Sequence, residues 1–116
     1  MSKRGDLEFL SDIKEAIERI CNYTDEMAYE DFLKDKKTQD AVVRNIEIIG
    51  EAVKNISKGL RDENRDIGWK DIAGMRNKIV HFYFGIKWDI VWSVIRDKLP
   101  QLKQRVERIL SEIENK

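Results

Sequence analysis

Apolar residues recur along this chain in stripes, separated by polar runs. The first stripe falls at Leu7, Leu10, Ile13, Ile17 and Ile20, and steps of three and four mark one face of a helix. Asp6, after Gly5, is the expected N-cap, and the helix should end between Asp25 and Met27. The polar-aromatic segment AYEDFLKDKKT follows and predicts a short turn anchored by Phe32 and Leu33. A second stripe runs Val42, Ile46, Ile49, Val53 and Ile56, widened by Val43 and Ala52. Gly59 stands where a helix stop belongs. KGLRDENRDIG, from Lys58 to Gly68, is nearly all charged and predicts an exposed loop.

The third helix is expected over about Trp69 to Phe82, with Ile72, Met75 and Ile79 pointing inward, and FGIK breaks it. A fourth carries Ile90, Val91, Val94 and Ile95. Pro100 ends or kinks it and suits the first turn of a fifth. That last helix shows Leu102, Val106, Ile109 and Ile113 against a charged outer face. The pattern predicts an all-α fold, an up-and-down bundle of four to five helices with short connections, forming one domain over residues 1–116.

Composition agrees with the pattern. The chain has 116 residues, 41% apolar and 38% charged, with six glycines and one proline, so helix formers outweigh turn formers. A core this small leaves apolar surface that a second copy could cover. Lysine plus arginine equals aspartate plus glutamate, 22 each. That balance argues against non-specific coating of nucleic acid, which shows as a basic excess. It does not exclude a nuclease: any contact with RNA or DNA would use a local patch, or the partner is another protein. The Lys58 to Gly68 segment is the clearest place for a basic-acidic surface to approach a ligand, through Arg61 and Arg65.

One cysteine, Cys21, excludes an internal disulfide and a thiolate metal cluster, and suits half-buried packing. One histidine disfavours a dedicated zinc site. No metal site and no cofactor are expected. The N-terminus lacks an apolar signal region and no run is long enough to span a bilayer, so a cytoplasmic protein without membrane contact is expected.

The stretch MRNKIVHFYFG, Met75 to Gly85, gathers the polar groups with chemical potential. Asn77 and His81 lie four apart and share a helix face, while Arg76 and Tyr83, seven apart, share the adjacent one. Arginine offers a planar donor fork for phosphate oxygens. Histidine titrates near neutrality and can move a proton. Cleaving RNA through the neighbouring 2′-hydroxyl needs a base, an acid and a cation, but no metal. One chain supplies one histidine, so two third helices placed face to face would complete the set, which favours a homodimer. The plain structural reading is that His81 bonds terminal carbonyls in a last helical turn, with Arg76 paired to Glu51 or Asp71. Spacing by itself leaves both readings open. Glu51, in IGEAV, is either an acid that orients Arg76 or His81 or a solvated charge. Trp69, Trp88 and Trp92 fit core or dimer packing better than base stacking.

Arg76, four residues, His81, one residue and Tyr83 match the R-x4-H-x-Y signature of HepT-like toxins, within the HEPN superfamily. RNIEIIGEAVKNIS (Arg44 to Ser57), WKDIAGMRNKIVHFYFGI (Trp69 to Ile86) and IVWSVIRDKLPQL (Ile90 to Leu102) also resemble that family, in its order. The resemblance implies a helical homodimer that cleaves RNA without a metal, with Arg76 stabilising the scissile phosphate and His81 as the acid-base group. Asn77 fills the polar position that often follows the arginine. It also implies an MNT-type nucleotidyltransferase antitoxin as partner, transferring AMP to Tyr83. No Gly-rich phosphate loop appears in this chain, so ATP would be that partner's substrate. The competing expectation is a non-catalytic helical module that binds such a nucleotidyltransferase and is regulated by it. A third, a nucleotide-sensing domain using Arg76, rests on less.

Overall fold

The computed structural model describes residues 5–80 and 85–115, with Arg76 and Val80 described through their backbone. Every regular element among the described residues is helical. The helices are α1 (Asp6–Thr24), α2 (Tyr29–Lys34), α3 (Lys36–Asn55), α4 (Lys58–Glu63), α5 (Trp69–Val80), α6 (Trp88–Ser93) and α7 (Leu99–Glu114). A π-helical turn, Val94–Lys98, joins the last two.

The long stripes form the core. Leu10, Ile13, Ile17 and Ile20 of α1 are fully buried against Val42, Ile46, Ile49 and Val53 of α3. Leu102, Val106, Ile109 and Leu110 of α7 close over α1 from the other side. α5 packs on α3, where Gly50 allows close approach. A Cβ there would stand 3.5 Å from the Ala73 carbonyl oxygen.

Local chemistry shifts several boundaries. Gly5, not Asp6, caps α1: its N–H donates to Glu8 Oε2 at 2.9 Å. Asp6 is freed to accept from the Ser57 N–H at 2.8 Å and hydroxyl at 2.6 Å, which pins the start of α1 to that of α4. The AYEDFLKDKKT segment holds a short helix, α2, and the first residues of α3 rather than a turn. Phe32 anchors it in the core, while Leu33 is 43% exposed. Gly59 does not stop α3, which ends at Asn55. Ile56 turns extended, and the Ser57 hydroxyl accepts from the Leu60 N–H to start α4 with Gly59 inside it. The expected exposed loop therefore contains a helical turn and a half that has no buried residue, while Ile67 beyond it is buried in the core.

Trp88 and Trp92 pack on Phe32 at centroid distances of 5.6 and 5.2 Å, and Arg96 lies over Trp92 at 4.3 Å. Ile90 falls outside this cluster and is 43% exposed, contrary to its expected inward place. Pro100 sits in the first turn of α7, as its fixed φ favours. It has no N–H for the Arg96 carbonyl and its ring crowds that oxygen. The chain responds with a widened turn, in which the Leu99 N–H reaches back five residues to the Val94 carbonyl.

Candidate functional site

Helix α5 carries the first part of the polar stretch, from Met75 to Val80. Trp69, Met75 and Ile79 on its inner face are buried, with Ile72 half-buried beside them. Asn77 is exposed on the opposite flank, one turn after Ala73. The backbone of Arg76 lies within α5, at its penultimate turn. His81 and Tyr83 follow α5 in sequence and lie outside the described residues, as does the side chain of Arg76. The chain is next described at Gly85, whose φ of +112° is open to glycine and strained for other residues.

Glu51 is exposed on α3. Its side chain makes no bond among the described residues, and its carbonyl accepts from Asn55 Nδ2 at 2.8 Å. It does border α5: with Gly50, Asn55 and Ala73 it lines a groove of about 440 Å³ between α3 and its neighbours. The structure thus brings Glu51 to the flank of α5 that Asn77 continues.

A second groove, of about 650 Å³, opens at the other end of α5. Its floor is apolar: Val53, Ile67 and Trp69 are all buried. Its rim carries Lys58, Arg61, Arg65 and Lys70, against Asp62 and Asp71. Lys58 is paired with Asp62 at 3.1 Å, and the nearby Asp66 is taken by Arg105. Among the described residues Arg61, Arg65 and Lys70 have no ion pair. Sequence reading had singled out the two arginines but passed over Lys70. Its signal was the spacing to Asn77, seven residues on, which puts both on one stripe of α5 with Gly74 between them. A Cβ at Gly74 would meet nothing within 4 Å, so the stripe is open at that position.

The tryptophans are structural. Trp69 is 6% exposed and donates its Nε1–H to the Asn64 carbonyl at 3.0 Å, and the other two belong to the Phe32 cluster. Burial pushes the Cys21 thiol above its ordinary pKa, partly countered by Lys103 and Arg96, as suits a packing residue. No group of three or more His, Cys, Asp or Glu among the described residues could hold a metal ion. No helix among them is long and apolar enough to cross a membrane.

A family model described as ribonuclease HepT-like matches residues 13–109. A protein of Methanocaldococcus jannaschii named "Putative RNase" is 41% identical over 98% of this chain and 94% of its own length. A second of that name from the same organism is 43% identical over the whole of this chain and 96% of its own. A protein of Thermococcus cleftensis named "Probable ribonuclease HepT" is 45% identical over 92% of this chain and 97% of its own. No solved structure matches the chain significantly.

Proposed function

The chain belongs to the HepT-like ribonuclease family, and from that premise we propose that it is a metal-independent RNA endonuclease, the toxin partner of an MNT-type nucleotidyltransferase. The observation that carries the reading is the family match over residues 13–109, beside an R-x4-H spacing in the sequence that begins at Arg76, within α5. The inner face of that helix is already committed to the core through Trp69, Met75 and Ile79, and Asn77 on its outer flank is exposed. Asn77 there faces water or a partner and need not be satisfied inside an apolar core.

In the proposed reaction the imidazole of His81 takes the proton from a ribose 2′-hydroxyl. The 2′-oxygen attacks the adjacent phosphorus, and the 5′-oxygen of the next nucleotide leaves with a proton from a second imidazole. The products are a 2′,3′-cyclic phosphate and a 5′-hydroxyl. Arg76 neutralises the crowded phosphorus with a charged donor fork. One chain holds one histidine, so the active species is a homodimer with both α5 ends at one cleft. Asn77 orients the imidazole or a phosphate oxygen. Glu51, across the groove from Ala73, is the supporting acid.

Regulation follows from charge. Transfer of AMP from ATP to the Tyr83 hydroxyl, with release of pyrophosphate, adds a phosphodiester two residues after His81. Negative charge placed beside Arg76 competes with the RNA backbone. The partner supplies the nucleotide site and the metal for that step.

The test is cleavage of total RNA and a tRNA pool in EDTA by the purified protein, beside folded Arg76→Ala and His81→Ala variants. Cleavage in the wild type alone, leaving cyclic phosphate ends, is the expected result. Cleavage retained in both variants would refute the assignment. No cleavage by any of the three, with Tyr83 unmodified by mass spectrometry, would replace the nuclease with a non-catalytic module that binds the nucleotidyltransferase. Light scattering checks the dimer.

A further inference from the structure

The basic groove at the start of α5 has no part in the chemistry above. We propose that Arg61, Arg65 and Lys70 form a second subsite that holds backbone phosphates of single-stranded RNA and feeds the strand along α5 toward its C-terminal end. The inference rests on the nuclease reading for its ligand, and on the groove itself for its location.

Charge is the first observation. The chain as a whole is neutral, with 22 charges of each sign. The groove is not: its four cations, Lys58, Arg61, Arg65 and Lys70, outnumber its two acids, Asp62 and Asp71. The imbalance comes from how the acids nearby are used. Asp62 is held by Lys58 and Asp66 by Arg105, which leaves Arg61, Arg65 and Lys70 without ion pairs among the described residues. Arg65 and Lys70 are exposed and Arg61 partly so, so these cations are presented to solvent at one end of the molecule. Free, clustered cations on a neutral protein are what a polyanion would find first.

Alignment is the second. Lys70, Gly74 and Asn77 fall on one stripe of α5, and position 81 continues the spacing in the sequence. From Trp69 to Val80 the helix rises about 16 Å at about 1.5 Å per residue. A stacked strand advances about 3.4 Å per nucleotide, so the groove holds phosphates within about five nucleotides of the cut. The absence of a side chain at Gly74, where a Cβ would meet nothing within 4 Å, leaves the path between them unobstructed.

The groove reads backbone and not base. Its aromatic floor, Trp69, is 6% exposed with its N–H already given to Asn64, so it offers no open ring for stacking. Phosphate contacts position a strand without carrying sequence information. The subsite therefore raises affinity for RNA of every sequence equally, and selectivity belongs elsewhere.

The experiment is binding of a labelled, uncleavable 2′-O-methyl RNA of mixed sequence to the full chain, by fluorescence anisotropy across a salt series. Four proteins are compared: wild type, the triple variant Arg61→Ser, Arg65→Ser, Lys70→Ser, the charge-keeping Arg61→Lys, Arg65→Lys, and a control, Lys34→Ser, Lys36→Ser, Lys37→Ser. The control removes the same charge from exposed lysines at the junction of α2 and α3, away from the groove. Each cation engaged with a single strand contributes about 0.7 to the slope of log affinity against log salt. The triple variant should therefore lose about 2 from the slope, so a fourfold rise in salt weakens the wild type about 16-fold more than the variant. The lysine-for-arginine protein and the control should keep the wild-type slope. An unchanged slope in the triple variant, equal losses in the triple variant and the control, or no binding by the wild type would each overturn the subsite. Cleavage of total RNA by the wild type is read in parallel. Cleavage with groove-independent binding would sink the subsite and leave the nuclease standing. Groove-dependent binding without cleavage would do the reverse.

Discussion

Phe32 is the residue whose loss should show most about how this small bundle holds its site. It is the sole buried residue of α2, fully enclosed, and it meets Trp88 edge-on at 5.6 Å and Trp92 at 5.2 Å. Those two rings belong to α6, which begins three residues after Gly85, directly downstream of the polar stretch. Phe32→Ala removes a whole ring from a packed interior, which costs about 3–5 kcal/mol. Two aromatic contacts lie within that figure, each worth about 0.5–1.5 kcal/mol beyond area. A domain of this size has about 5–15 kcal/mol in all, so the variant should keep the fold with a thin margin. Its melting temperature should drop by roughly 12–20 °C. Phe32→Leu keeps most of the volume and forfeits the ring contacts, so about 1–2 kcal/mol is expected. Urea unfolding followed by far-UV circular dichroism measures both, with an unchanged denaturant slope showing that the unfolded state is the same. A cost below about 1.5 kcal/mol for Phe32→Ala, or equal costs for the two variants, would refute the weight given to the packing of Phe32 on Trp88 and Trp92.

Three further outcomes are expected. Gly85→Ala forces a Cβ onto a φ of +112° and should destabilise by about 1–3 kcal/mol, read as a lower urea midpoint; no change would mean that the backbone relaxes there freely. Gly74→Ala adds a Cβ that meets nothing within 4 Å in a helix interior, and should stabilise by about 0.5–1 kcal/mol; a loss in thermal melting would contradict the open stripe. Asp35 accepts from the Thr38 N–H at 3.0 Å and its hydroxyl at 2.8 Å, and that backbone bond first, then the hydroxyl, holds its pKa below the ordinary aspartate value. A carboxylate favoured in the folded state stabilises above its unfolded pKa, and this is lost as pH falls through the folded value. Asp35→Ala should therefore narrow its gap from wild type below about pH 4, and a constant gap from pH 7 to pH 3 would refute the cap.

The long helices were legible because their burial repeats at helical spacing. Leu10, Ile13, Ile17 and Ile20 of α1, and Val42, Ile46, Ile49 and Val53 of α3, are all in the core. What escaped was set by single contacts that periodicity does not encode. α4 has no buried residue to form a stripe, and exists because Ser57 caps it while Asp6, distant in sequence, holds Ser57. Gly59 resembled a stop, yet the stop was the extended backbone at Ile56. Leu33 and Ile90 are apolar and exposed, a choice that depends on which face of a short helix meets Phe32 or its neighbours. In the candidate site, Asn77 takes the solvent side of α5 that its offset from Ile72, Met75 and Ile79 implied. Glu51, two residues from Ile49 and beside Ala52, borders the groove with Ala73 of α5, the direction that spacing allowed, and Gly50 beside it lets the two helices close.

Neutral composition argues against non-specific coating of nucleic acid, but it does not say where along the surface the charges lie. Net charge counts acids wherever they lie, whereas a ligand responds to charges within about a Debye length, roughly 10 Å at 0.1 M salt. On the α1–α7 face Lys14 meets Glu107 at 3.7 Å and Lys103 meets Glu18 at 3.8 Å. On single helices Arg19 meets Glu15, and Arg108 approaches Glu112. These pairs cancel locally and present little field to a passing strand. Near α4, Lys58 of the same helix and Arg105 of α7 take up Asp62 and Asp66, acids that would otherwise stand free beside Arg61 and Arg65. A chain with no excess charge can in this way hold a cationic end, at small energetic cost because exposed pairs are worth little either way. The consequence is specific: Asp66→Asn leaves Arg105 unpaired beside the groove and should strengthen RNA binding at low salt, with the gain vanishing as the Debye length shrinks. Weaker binding by that variant at low salt would show that the pairing of acids is not what shapes this end of the molecule.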